Sequence, residues 1–154
     1  SRTKLTSYPK EKIDILCLEN ISDSAVDRSL WDTTLFVHAD FGILSTYAPT
    51  PCGLATFSAA LAKRLAARAA DVKVVRIADG EVSEEPNVSG ELINGSASSI
   101  EATVELLNQS DVAIIQHEYG IYGGSDGDEI VQIMAGLCVA SILVVHTVLK
   151  DPTP

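Results

Sequence analysis

Residues 41–65 constrain the fold more than any other stretch. The apolar run Phe41-Gly-Ile-Leu44 is too short for a helix and is followed by breakers, so it reads as a buried strand over 41–46. Pro49, Pro51 and Gly53 punctuate the loop that follows. Leu54, Phe57, Leu61 and Leu65 then recur at spacings of three and four, which puts one apolar stripe on a helix over 54–68. Ala62, Ala66, Ala67, Ala69 and Ala70 favour that helix, and Lys63, Arg64 and Arg68 suit the negative end of its dipole. Asp71 marks a turn, and a second apolar run fills 72–78. Strand, helix and strand joined this closely make a parallel β-α-β unit. Such a unit aims the helix's first N–H groups, which have no partner within the helix, at the carboxyl edge of a sheet, where they favour an anion.

The rest of the chain repeats the alternation. Residues 79–99, rich in Gly, Ser, Asn and Glu, read as a surface connection holding a short strand at 88–93. Its acidic residues Asp79, Glu81, Glu84, Glu85 and Glu91 read as a solvated face. Ser98 and Glu101 have the spacing of a capping box, and Ile100, Val104 and Leu107 carry helical periodicity to about residue 109. A buried strand over 111–116 ends at His117 and Glu118, and a glycine-rich loop runs from Tyr119 to Gly127. Asp126 and Glu129 form a second capping box for a helix over 127–136, with Ile130, Ile133, Met134 and Leu137 inward. A last strand, 141–145, ends at His146, and 147–154 reads as extended. Upstream, 13–18 is strand-like, 25–30 is a short helical piece ending at Trp31, 35–37 is apolar, and His38 reads as a loop or core histidine. The organisation expected is an N-terminal extension over 1–39 and a domain over 40–154. That domain is α/β: an open, mostly parallel Rossmann-like sheet with helices on both faces.

Composition narrows the partners. Eleven basic residues face 21 acidic ones, a formal charge of −10, which argues against non-specific nucleic-acid binding. The cysteines Cys17, Cys52 and Cys138 are odd in number and lack CxxC spacing, against a disulfide framework or a zinc knuckle and in keeping with a reducing, cytoplasmic setting. No segment is an apolar run long enough to span a membrane, and the basic residues near the start lack the apolar run of a signal peptide.

Ligands of open parallel sheets bind outside the carboxyl ends of the strands. Three features are expected there: the turn at Cys52-Gly53, the loop opening with His117, and His146. Glycine lets backbone N–H groups approach oxygen atoms, and histidine bonds hydroxyls or moves protons near neutral pH. Gly53 read alone relieves turn strain, and either histidine read alone bonds a neighbouring carbonyl. A three-glycine dinucleotide fingerprint, a Walker lysine, an HExxH pattern and a Gly-x-Ser-x-Gly elbow are absent. Cys52 lacks an oriented base in the pattern and reads as a packing or backbone residue.

Three stretches carry a family resemblance: Tyr47-Ala-Pro-Thr-Pro-Cys-Gly-Leu54 with the helix after it, Asp111-Val-Ala-Ile-Ile-Gln-His-Glu-Tyr-Gly120 with Ile-Tyr-Gly-Gly124, and Val144-Val-His-Thr-Val-Leu149. In this order, over about residues 40–154, they resemble the N-terminal half of group-1 (family 4) glycosyltransferases. The resemblance implies a GT-B fold and retaining transfer of a hexose from a nucleotide-sugar to an acceptor, with no metal or other cofactor. It implies that His146 contacts the transferred sugar as the catalytic residue. It implies that Cys52, Gly53 and Leu54 lie near the donor diphosphate and acceptor, and that His117, Glu118, Tyr119 and Gly120 line the acceptor side. The family often has two adjacent glycines where this chain has Cys52-Gly53. Its second domain has no counterpart in these residues, so the expectation is a truncated domain, inactive alone, whose open sheet edge pairs in a homodimer. The alternative expectation is a non-catalytic, flavodoxin-like binding or interaction module.

Overall fold

Apolar strands separated by helices can bury both of their faces only in a parallel sheet flanked by helices, and the chain does this. The structure, a computed structural model, describes residues 39–68 and 71–147 together with a two-residue strand, β1 (Asp14–Ile15). The readings placed on the remainder of 1–38 and on 148–154 lie outside the described residues. Beyond β1 come β2 (Phe41–Ser45), α1 (Gly53–Ala66), β3 (Val72–Ile77), β4 (Val88–Leu92), α2 (Ala97–Leu107), β5 (Val112–His117), α3 (Glu129–Gly136) and β6 (Ala140–Val145).

Every pairing is parallel, in the order β1-β6-β5-β2-β3-β4. From β2 the chain walks outward through β3 to β4, then crosses back to the other flank of β2 for β5 and β6, and β1 pairs outside β6. Right-handed crossovers in opposite directions put their helices on opposite faces. Two cores follow. On one face, α1 packs Ala62, Leu61 and Leu65 against Phe41, Ile43, Val74 and Ile114. On the other, Ile100 and Leu107 of α2 and Ile130 and Ile133 of α3 pack against Leu44, Val75, Ile77 and Ile115. Ile43, Leu44 and Ile115 are wholly buried, worth about 1.5–3 kcal/mol each in apolar burial.

Several local expectations are corrected. The buried face of α1 is Ala55, Ser58 and Ala62, and Phe57 from the predicted stripe is 45% exposed. Small side chains there let the helix sit close to the sheet, with Leu61 and Leu65 half-buried at the flanks. The cap of α2 is Ser96, which accepts from Ser99 N–H, two residues before the predicted Ser98. Ser99 instead ties the preceding turn by accepting from Ile93 N–H at 2.8 Å and donating to the Glu91 carbonyl at 3.1 Å. Asp126 caps nothing: it lies in a 3-10 turn (Ser125–Gly127) with φ 56°, and α3 begins at Glu129.

Glu129, the other half of that predicted box, is buried and reaches across the fold. It accepts from Gly95 N–H at 2.6 Å and from Gly123 N–H at 3.1 Å. One carboxylate thus pins the β4–α2 turn and the glycine-rich loop to the head of α3. A side chain at Gly123 would collide with it, so that glycine is required by close approach.

Candidate functional site

Because all strands run one way, the segments after β2, β5 and β6 emerge at one edge of the sheet. The strand order reverses between β2 and β5, and crevices at such reversals hold the ligands of open α/β sheets. Cys52, Gly53 and Leu54 begin α1 on one side of this point; His117, Glu118, Tyr119 and Gly120 follow β5, and His146 follows β6.

Alternation along the strands sorts these residues by face. Ile114 and Val144 pack in the α1 core, so Gln116 and His146, two positions further on, share the α1 face. Gln116 is fully buried, and its Oε1 lies 2.6 Å from His146 Nε2. The His146 main-chain N–H donates to the His117 carbonyl at 3.0 Å, and Phe57, one turn into α1, meets the His146 ring edge-on at 5.2 Å and 80°. That contact brings His146 and the N-terminal part of α1 together. Beneath them Ser45 and Ser58, both fully buried, share a hydrogen bond of 2.7 Å that fastens α1 to β2.

His117 points to the opposite face. Its ring stacks on Tyr122 at 6.1 Å and 26° and meets Tyr119 edge-on at 6.1 Å and 77°. Tyr122 is buried, which pushes its phenol far above the ordinary range, and its hydroxyl donates to the Gln116 carbonyl at 2.6 Å. So the sheet separates the two imidazole rings, although their backbones are bonded. Glu118 accepts from Thr147 Oγ1 at 2.8 Å and from Tyr119 N–H at 2.9 Å. The Thr147 hydroxyl first, then the Tyr119 N–H, hold its carboxyl below the usual glutamate range, with the neighbouring histidines acting the same way against partial burial. Tyr119 and Gly120 are exposed, and Gly120 has φ 80°, a conformation that favours glycine.

Cys52 is the N-cap of α1: its Sγ accepts from Ala55 N–H at 3.3 Å and lies 3.3 Å from Thr46 Oγ1. Gly53 relieves no turn strain. It is a helical residue outside the positive-φ region, and a Cβ built on it meets nothing within 4 Å. Nothing within the described protein requires a glycine there.

Three buried side-chain polar atoms have no hydrogen-bond partner among the described residues: Gln116 Nε2, His117 Nδ1 and Thr103 Oγ1. Thr103 is inside α2, but the other two are consecutive residues at the end of β5. Buried polar groups are nearly always paired, so two adjacent exceptions at the switch point mark it out.

Sequence reasoning missed Arg76. It stands on β3 with no exposed side-chain surface, and all its N–H groups are engaged. Nε donates to the Tyr47 carbonyl at 3.3 Å; Nη1 donates to the Glu81 carbonyl and to Glu91 Oε1, both at 2.7 Å; and Nη2 donates to Thr50 Oγ1 at 3.0 Å and to Asp79. Burial alone lowers the Arg76 pKa, but the hydrogen bonds and charges of Asp79 and Glu91 outweigh it and raise the value. The hydroxyl of Thr50, then Arg76, hold Asp79 down to about 2. Asp79 and Glu91 are therefore ion-pair partners, correcting the reading of both as part of a merely solvated face. The signal was legible: one arginine inside Val74-Val-Arg-Ile77, with carboxylates just beyond. An open hollow of about 430 Å³ lies nearby, lined by Glu81, Val82, Glu91 and Ile93. It contains none of the unpartnered buried atoms.

Among the described residues, no group of three or more His, Cys, Asp and Glu side chains is placed to hold a metal ion, and no helix is long and apolar enough to cross a membrane. No protein-family model matches the chain, and neither curated proteins nor solved structures contain a match.

Proposed function

We propose that the chain forms the acceptor-side wall of a retaining glycosyltransferase that moves a hexose from a nucleotide-sugar donor to an acceptor. In this reading His146 bonds a hydroxyl of the transferred sugar. The first turn of α1, from Cys52 through Gly53 to Leu54, faces the developing charge of the leaving diphosphate, which unpaired N–H groups and the helix dipole favour. Glu118, Tyr119 and Gly120 line the acceptor side, while the His117 ring packs behind them on the other face of the sheet. The nucleotide-sugar is a substrate, and neither metal nor other cofactor takes part.

The observation that carries the reading is the contact of Phe57 with His146 at 5.2 Å, across the point where the strand order reverses. It brings a helix N-terminus, suited to phosphate, and an imidazole, suited to a hydroxyl, together on one face of the sheet edge. The three resembling stretches support it independently of that geometry.

The test is nucleotide-sugar turnover by the product of the complete reading frame, wild type against His146→Ala. The expected result is turnover that falls by about 100-fold or more, the scale for loss of one transition-state hydrogen bond in a closed site. Unchanged turnover removes His146 from the reaction. A folded protein that turns over no nucleotide-hexose overturns the reading and leaves the binding-module alternative.

A further inference from the structure

The bond between Gln116 and His146 bears on the tautomer of the imidazole as well as on its position. An imidazole has two ring nitrogens, and in the neutral ring one carries the proton while the other accepts. Here Nε2 is 2.6 Å from the side-chain amide of Gln116, placed with its oxygen toward the ring, and with that oxygen accepting, Nε2 is the nitrogen that bears hydrogen. Nδ1 has no hydrogen-bond partner among the described residues, and the residue is itself exposed. Phe57 restricts the ring from one side at 5.2 Å, and the bond from His146 N–H to the His117 carbonyl, 3.0 Å long, fixes its backbone.

We infer that Gln116 is a positioning residue: it locks His146 in the Nε2–H form and presents a bare Nδ1, a hydrogen-bond acceptor, to a ligand hydroxyl in the crevice beside α1. Gln116 itself has no exposed surface and touches no ligand. An amide orients the ring without adding charge, unlike the carboxylate of an Asp–His pair, which favours the imidazolium. The ligand class that fits an uncharged acceptor is a polyol, whose hydroxyls donate. That the ligand is a sugar rests on the glycosyl-transfer reading; the state of the ring does not.

The stability ledger separates this role from packing. Gln116 Nε2 is buried without a partner among the described residues, a cost that a leucine of similar size removes. His146 is exposed and can exchange its lost partner for water. Gln116→Leu is therefore expected to melt at or above the wild-type temperature while releasing the ring.

The experiment is long-range ¹H–¹⁵N NMR of the whole chain at a pH where the ring is neutral, with His146→Gln to assign the signal. Wild type is expected to show His146 protonated on Nε2 only. Gln116→Leu is expected to show the mixed tautomers of a water-exposed ring, and Gln116→Glu, which keeps an acceptor at the same place, to restore the proton on Nε2. A wild-type ring protonated on Nδ1 overturns the proposal and needs no variant. So does a Gln116→Leu ring with wild-type tautomers, or a Gln116→Leu protein that melts well below wild type. If the tautomer is as expected but no nucleotide-sugar is turned over, Gln116 keeps its role and only the identity of the ligand fails.

Discussion

The carboxyl edge of the sheet has two corners, one on each side of β2, and they treat buried polar groups in opposite ways. At the β3–β4 corner, Arg76 spends every donor it has on the β2–α1 loop, the β3–β4 loop and Glu91. Ser83 Oγ adds a bond to the Ala48 carbonyl at 2.6 Å, and Asn87 bonds the buried Tyr47 hydroxyl at 3.0 Å. At the β5–β6 corner the buried polar groups are just as deep, yet Gln116 Nε2 and His117 Nδ1 lack partners among the described residues. A fully paired buried network rigidifies, whereas unpaired polar atoms cost stability and recur at functional sites. The closed corner holds the loop that carries Cys52 and Gly53, and the open corner carries His146, the histidine of the proposed site.

That contrast is broken most directly by Arg76→Met. The change strands the carbonyls of Tyr47 and Glu81 and frees two carboxylates. The expected loss is about 3 kcal/mol in urea unfolding, the low end for breaking a buried pair, because Asp79 and Glu91 still reach water. A loss no larger than that of an exposed substitution would show that the corner is not closed. Tyr122→Phe probes a buried tether of the other corner, the bond to the Gln116 carbonyl, and is expected to cost about 1 kcal/mol by the same measurement. Equal losses from the two variants would erase the distinction between the corners.

The closed corner also has an acid limb. Asp79 titrates near 2 in the folded protein against an ordinary value of 3.8, so the stability it adds is complete above 3.8 and fades as pH falls toward 2. Asp79→Asn is expected to flatten thermal stability across that window, with a smaller difference in high salt because the carboxylate is exposed. Identical pH profiles for the two proteins would mean that the pair adds nothing. The smallest stability effect belongs to Gly53→Ala, within about 0.5 kcal/mol, since its Cβ meets open space. The same variant is expected to weaken nucleotide-sugar binding in calorimetry by about tenfold if a phosphate approaches that backbone. Unchanged affinity would take Gly53 out of the proposed site.

Much of this architecture was legible in the chain because it rests on periodicity. Apolar runs of strand length and stripes of helical spacing give the order of elements, and short connections between parallel strands leave few topologies open. Ends and caps were less legible. Ser96, Ser98 and Ser99 all offer a hydroxyl near the head of α2, and only the turn anchored by Ser99 selects Ser96. Glu129 at N3 spacing looks local, yet its partners at Gly95 and Gly123 are brought near only when β4 and β5 are in place. Likewise, the i, i+3, i+4 rule selects Phe57 for the core, but close packing of Ala55, Ser58 and Ala62 on the sheet turns it outward.

By itself, then, the sequence determined a parallel α/β sheet whose two histidine-bearing strand ends and one helix start face a common edge. Backbone hydrogen bonding and burial are local, repetitive constraints that pattern alone expresses. Only the tertiary structure decided that Arg76 closes one corner, that Gln116 grips His146 across 30 residues of chain, and that the sheet divides His146 from His117. Side-chain pairing between distant segments depends on strand register and face, and neither is written in the spacing of any one segment.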